Sequence, residues 1–313
     1  MYRSAPTAGG ATVDNRGTQR READDWLSLS APAKVNLYLE VLGSRGDGYH
    51  EVETVMAPLR LADHLSLRAV AGDPNIRLQV AGPLSAGVPT DERNLVVQAV
   101  TALQQRLGVE QGAEMALQKH VPHEAGLGGG SSDAAAALIL ADAAWGTQCD
   151  PAELDDIASS IGSDVPFFLN GGPAVCRGRG EQVAPLATPA GCPIVVAKPA
   201  AGLSTKRVFS ELKKQTGASA KRSAGELVES FSSGDWRGLS GQLFNRLEET
   251  ALGLAEPLRQ AAATLREACG CSWTITGSGS ALFAVAPSDR AARRLASVVR
   301  QRGMGWAVAT SLT

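Results

Sequence analysis

One stretch constrains this chain more than any other: Pro122-His123-Glu124-Ala125-Gly126-Leu127-Gly128-Gly129-Gly130-Ser131-Ser132-Asp133. It follows Glu114 to Gln118, which reads as a strand, and opens an alanine-dominated run from Ser131 to Trp145 that reads as a helix. Glycines at such a junction let the backbone turn tightly and approach a ligand without Cβ obstruction. The free N–H groups of the helix's first turn, reinforced by the helix dipole, then face an anion. Ser131 and Ser132 add hydroxyls suited to phosphate or magnesium. Two familiar phosphate patterns do not fit. A Walker loop needs a lysine after its glycines, and none follows here. A dinucleotide fingerprint needs a third glycine where Ser131 stands. The plain alternative is a surface loop in which Ser131 or Asp133 caps a helix.

The rest of the chain reads as mixed strands and helices. Alternation at Val35, Leu37, Leu39 and Val41 marks a strand, and glycines 43, 46 and 48 a polar turn leading to Tyr49-His50. Leu65 to Val70 and Ile76 to Val80 are further predicted strands, and Asn94 to Leu107 has the spacing of an amphipathic helix. Asp150-Pro151 opens another helix, which Gly162 ends. Ala184 to Pro193 contains three prolines and is the best candidate for a domain boundary. Beyond it, Ile194 to Ala197, Trp273 to Ile275 and Leu282 to Val285 read as strands, the last two flanking a glycine–serine turn. The expected organisation is an extension over residues 1–25 that is disordered, an N-terminal domain over 26–188 and a C-terminal domain over 189–313.

Charge and cysteine content exclude several classes of function. Thirty basic and 32 acidic residues leave a net −2, so no broad electrostatic surface awaits nucleic acid or a membrane. The arginine-rich helix Asp289 to Arg302 reads as a solvated amphipathic face. Five scattered cysteines without a C-x-x-C pair indicate neither a disulfide framework nor a zinc site, which fits a cytoplasmic protein. The longest strongly apolar stretch, Ala134 to Ala141, is far shorter than the roughly 20 residues of a membrane span.

The glycine segment resembles the second motif of the GHMP kinases, the family of galacto-, homoserine, mevalonate and phosphomevalonate kinases. Ala31-Pro32-Ala33-Lys34-Val35-Asn36-Leu37 resembles the family's N-terminal strand motif, and Thr276-Gly277-Ser278-Gly279-Ser280-Ala281 its C-terminal glycine motif. The resemblance implies a two-domain α+β fold, with a ribosomal-protein-S5-like N-terminal domain and a ferredoxin-like C-terminal domain. It also implies ATP as phosphoryl donor, with magnesium. Gly46-Asp47-Gly48-Tyr49-His50-Glu51 and Gly162-Ser163-Asp164-Val165-Pro166-Phe167-Phe168 narrow it to a cytidine-carrying branch. Those enzymes phosphorylate a 2-hydroxyl of a cytidine diphosphate substrate in the non-mevalonate route to isoprenoids. Another small-molecule kinase of the family, or an inactive member acting as a sensor, are the rival readings.

The resemblance also assigns residues. Asp164 matches the catalytic aspartate and Lys34 its cationic partner, which could hold Asp164 ionised and stabilise the transferring group. Pro122, Gly126, Leu127, Gly128, Gly129, Gly130, Ser131 and Ser132 form the expected phosphate loop, with Lys119 and Asn94 near the nucleotide and Ser132 the expected magnesium ligand. Tyr49 and Phe209 would sandwich the cytosine and His50 bond its edge. Asn36, Thr205, Gly277, Ser278 and Gly279 are the remaining expected substrate contacts. Asn245-x-x-Glu248 resembles a family stretch, but Arg246 stands where aspartate is usual, which puts its role in doubt. The implied partner is a small cytidine diphosphate substrate, without nucleic acid or membrane, bound by a monomer or weak homodimer.

Overall fold

The computed structural model describes residues 12–13, 19–20, 25–187, 191–214, 222–269 and 271–313. Most of the predicted extension over 1–25, and the predicted boundary between residues 188 and 189, lie outside them. The chain divides into two compact units that interleave along the sequence. Among the described residues, the first comprises those within 1–32, 62–121 and 129–169, and the second those within 33–61, 122–128 and 170–313. Two long strands, β3 (Leu27–Ser44) and β4 (His50–Val70), contribute to both. The alternation legible over residues 35–41 covers less than half of β3, and the two apolar stretches on either side of Pro58 form the single strand β4.

In the first unit, β1 (Thr12–Val13) pairs with β2 (Gln19–Arg20), which pairs with Leu27 and Ser28 of β3. The C-terminal part of β4 pairs antiparallel with β6 (Gly112–Gln118), and β5 (Ile76–Ala81) lies parallel to β6. Helix α1 (Leu95–Leu107) is capped by Asn94, whose side-chain oxygen accepts the Val96 N–H, and it ends at Gly108 in the left-handed region. It buries Val96, Val97, Ala99, Val100 and Leu103, the stripe expected from its spacing. Helix α2 (Gly129–Trp145) starts two residues earlier than predicted and is apolar on nearly every side, its alanines letting α1 approach closely. Helix α3 (Pro151–Ile161) is capped by Asp150 with Pro151 in its first turn, as the sequence predicts. The short helix α4 (Val165–Asn170) follows Asp164. Its six residues are too few to display a periodicity, so sequence reading misses it.

In the second unit, β7 (Ala174–Gly178) pairs antiparallel with β4 and with β8 (Gln182–Pro185). A four-stranded antiparallel sheet runs β11 (Thr274–Ile275), β12 (Leu282–Val285), β9 (Pro193–Lys198), β13 (Trp306–Ser311). Helices α5 (Thr205–Lys214), α6 (Gly225–Ser233), α7 (Trp236–Gln242), α8 (Glu248–Leu254), α9 (Glu256–Cys269) and α10 (Asp289–Gln301) accompany it. Val195, Ala197, Leu258, Leu265, Leu282, Ala296 and Val299 share one apolar core. The two-residue strand β10 (Phe244–Asn245) lies parallel to β3 at Tyr38 and Leu39. Among the described residues no helix is long and apolar enough to cross a membrane.

Candidate active site

Strand β3 is buried on both sides, and its two faces differ. Ala33, Val35, Leu37 and Leu39 point one way into apolar packing, while Lys34, Asn36, Tyr38 and Glu40 form a polar row on the other. All four polar residues are 3% exposed or less. Buried polar groups persist only when satisfied. Lys34 Nζ donates to Asn36 Oδ1 at 2.6 Å, and Asn36 Nδ2 donates to Thr54 Oγ1 at 2.9 Å, whose hydroxyl donates to the Tyr38 carbonyl at 2.6 Å. Arg246 donates twice to the Glu40 carboxylate, each at 2.7 Å. Burial opposes the charge on Glu40, but Arg246 and the N–H groups of Arg222 and Val41 outweigh it and hold its pKa below the usual range.

Within this second unit, parts of the three sequence motifs meet. The Lys34 N–H donates to the Leu127 carbonyl at 2.9 Å, and the Ala281 N–H to the Ala125 carbonyl at 3.0 Å. The Asn36 N–H donates to the Thr276 hydroxyl at 3.0 Å, and that hydroxyl faces Asn36 Oδ1 at 3.1 Å and the Gly126 carbonyl at 3.2 Å. Gly126 has φ +75°, and a Cβ there would lie 2.1 Å from the Thr276 carbonyl oxygen. Only glycine allows this contact. A Cβ on Gly277 would stand 3.5 Å from Lys34 Nζ, so the ammonium lies close under the glycine–serine turn. Asn245 Nδ2 holds that turn by donating to the Ile275 and Gly277 carbonyls at 3.0 and 2.8 Å. The Asn245 stretch, doubtful in the sequence because of Arg246, therefore supports the turn, with Glu40 as the partner of Arg246.

The residues matched to cytosine recognition also gather in this unit. The His50 and Phe209 rings lie 4.8 Å apart, tilted by 33°. Tyr49, half exposed, carries the Arg179 guanidinium 4.9 Å above its ring. Thr205 Oγ1 and Ser278 Oγ are 2.8 Å apart. The sequence offered no sign of Arg179, since an arginine in a glycine turn is ordinarily a solvated charge.

The other candidate residues belong to the first unit. Asp164 is partly buried and directly precedes α4. Gly129 starts α2, and Ser132 in its first turn has a buried hydroxyl without a hydrogen-bond partner among the described residues. Asn94 spends its amide on structure, accepting from Val96 and donating to the Pro89 carbonyl at 2.7 Å. Lys119 is 2% exposed, and its ammonium lies between Asp63 Oδ2 at 2.5 Å and Asp133 Oδ2 at 2.7 Å. Burial opposes the charge of Lys119, but Asp133 and Asp63 overcome it and raise its pKa. Burial, with Asp63 adding to it against the pull of Lys119, pushes the Asp133 carboxyl up to about 7. Sequence reading missed Asp63. Its signal is an acid at an inward position of β4, in line with Leu59, Leu65 and Leu67, all fully buried.

Comparison with known proteins adds a family. Residues 94–172 match the GHMP kinases N terminal domain, and residues 227–303 match the GHMP kinases C terminal domain. A protein of Exiguobacterium sibiricum named 4-diphosphocytidyl-2-C-methyl-D-erythritol kinase is 37% identical over 275 residues, 88% of this chain and 94% of the relative. A protein of the same name from Bacillus cereus (strain B4264) is 35% identical over 269 residues, 86% and 91% of the two chains. The crystal structure of a 4-(cytidine 5'-diphospho)-2C-methyl-D-erythritol kinase is similar at a TM-score of 0.75 and 36% identity, over 91% of this chain and 98% of that one. An L. major mevalonate kinase, at 15% identity and a TM-score of 0.72, shares the fold.

Proposed function

The chain belongs to the GHMP kinases, and from that premise we propose that it transfers the γ-phosphate of ATP to the 2-hydroxyl of 4-diphosphocytidyl-2-C-methyl-D-erythritol. The observation that carries this reading is the meeting, in the second unit, of Lys34 and Asn36 with the Leu127 carbonyl and the Thr276–Gly277 turn. The exposed Tyr49 and the His50–Phe209 ring pair in the same unit suit a flat base carrying a polar edge.

Phosphoryl transfer depends on positioning and on stabilising charge. Lys34, dry and held by Asn36, supplies a fixed cation for developing negative charge, worth more in a water-excluded site than in bulk. Asp164 is the group proposed to orient or deprotonate the accepting hydroxyl. Thr205, Gly277, Ser278 and Gly279 line the substrate side, with Tyr49 and Phe209 on the base and His50 on its edge.

The residues present fit ATP with magnesium. The first turn of α2 offers N–H groups and the buried hydroxyl of Ser132, which has no hydrogen-bond partner among the described residues. Gly126 and Gly128, both at positive φ, precede it. Magnesium, when bound, neutralises phosphate charge. Ser132 would hold it together with the nucleotide's own oxygens, since among the described residues no group of three His, Cys, Asp or Glu side chains could do so.

The deciding experiment offers the purified protein ATP with either the cytidine diphosphate substrate or mevalonate, and follows phosphate transfer. Turnover of the cytidine compound is expected. Turnover of mevalonate alone would defeat the assignment. Asp164→Asn should lower kcat by about 10²–10⁴ while ATP binding is retained.

A further inference from the structure

We propose that Asp63 and Asp133 are positioning residues for the nucleotide, acting through Lys119 as one clip that sets the first turn of α2 against the end of β6. The inference deepens the reading above, since it rests on α2 receiving the phosphates of ATP. Asp63 spends both of its oxygens on the exit of β6. Oδ1 accepts the N–H groups of His120 and Val121 at 2.5 and 2.9 Å, and Oδ2 accepts from Lys119 Nζ. The same ammonium donates to Asp133 Oδ2 in α2, next in the chain to Ser132. A Cβ on Gly129 would lie 3.4 Å from Lys119 Nζ and 3.1 Å from Val121 Cγ1, so the ammonium sits directly against the start of the helix.

Energetics argue against a cluster kept for stability alone. Taking an ammonium and two carboxyl groups out of water is costly, and replacing such a set by well-packed apolar residues of the same volume is often neutral or stabilising. Asp63 stands in a row of leucines, but a leucine there would leave the His120 and Val121 N–H groups and the Lys119 ammonium without their acceptor. What the ionic set provides and leucine cannot is direction. Its hydrogen bonds fix where the Val121 backbone and the Asp133 side chain stand, and with them the N–H groups and Ser132 hydroxyl of α2. Lys119, matched in sequence to a position near the nucleotide, serves here through the clip, because its ammonium is already held by two carboxylates.

The test uses Asp133→Ala, which removes the helix end of the clip in a helix already rich in alanine and leaves the Asp63–Lys119 pair intact. Calorimetric titration compares the affinity for a non-hydrolysable ATP analogue with that for CDP, and circular dichroism follows the fold. Affinity for the ATP analogue is expected to fall about tenfold while that for CDP changes less than about twofold. Asp133→Asn, which keeps an oxygen for Lys119, should restore most of the loss. Asp63→Asn with Asp133→Ala should weaken the analogue no more than the worse single change, because a broken clip cannot be broken again. An unchanged ATP-analogue affinity in Asp133→Ala overturns the inference. So does an equal weakening of both ligands, which would mark a structural role only. Absence of ATP-analogue binding by the unaltered chain would instead sink the kinase reading, and this inference with it.

Discussion

At the scale of single residues, the chain places charge where packing alone would exclude it. Lys34, Glu40, Asp63, Lys119 and Asp133 are each 3% exposed or less, and each has a partner of opposite charge or a polar neighbour. Asp133 has the clearest pH signature. Its carboxyl, ordinarily at 3.8, is raised to about 7 by burial and by Asp63, against the pull of Lys119. Between those values the folded chain holds the proton more tightly than the unfolded chain does. Its contribution to stability is therefore full below 3.8 and is lost as pH rises through about 7. Asp133→Asn cannot ionise, so it should gain on the parent as pH increases. Thermal melts of both proteins at about pH 5 and about pH 8 check this, and a melting difference that ignores pH would refute it. Lys34 and Gly126 were legible from their motifs because those residues are contiguous in sequence. Asp63 was not, because its partners lie more than fifty residues away in the chain.

Elements were legible where a rule acts locally. Asn94 before α1, Asp150-Pro151 before α3 and Ser288 before α10 each use a side-chain oxygen to accept an N–H of the first turn. Asn94→Ala should cost about 1 kcal/mol of stability, measured by denaturant unfolding. A loss near zero would mean that another acceptor takes over the cap. Strand limits were less legible, because β3 runs from Leu27 to Ser44 through Pro32 and Gly43, residues that local reading takes as strand ends. The turn between β7 and β8, residues 179–181, brings Arg179 over Tyr49, a contact no local pattern announces.

For the whole molecule, the near-neutral charge of −2 means that affinity for anionic ligands must be built locally, in the proposed function from Lys34 and from the start of α2. Both ligands bind only the folded chain in this reading. A non-hydrolysable ATP analogue and CDP should therefore each raise the melting temperature, by the equivalent of about 2.7 kcal/mol at a hundredfold excess over Kd. A melting temperature indifferent to the analogue would count against ATP as donor, and one indifferent to CDP against the cytidine substrate. The sequence by itself carried the resemblance to the family, in three contiguous motifs, and it determined the helix at the glycine loop, because capping and helix periodicity act over a few neighbouring residues. Only the tertiary structure decided which motif segments share a compact unit, that the Thr276 hydroxyl meets Asn36, and that Asp63 and Asp133 grip Lys119. Those contacts join strands and turns far apart in the chain, and burial then makes every polar group among them depend on a partner that local sequence does not name.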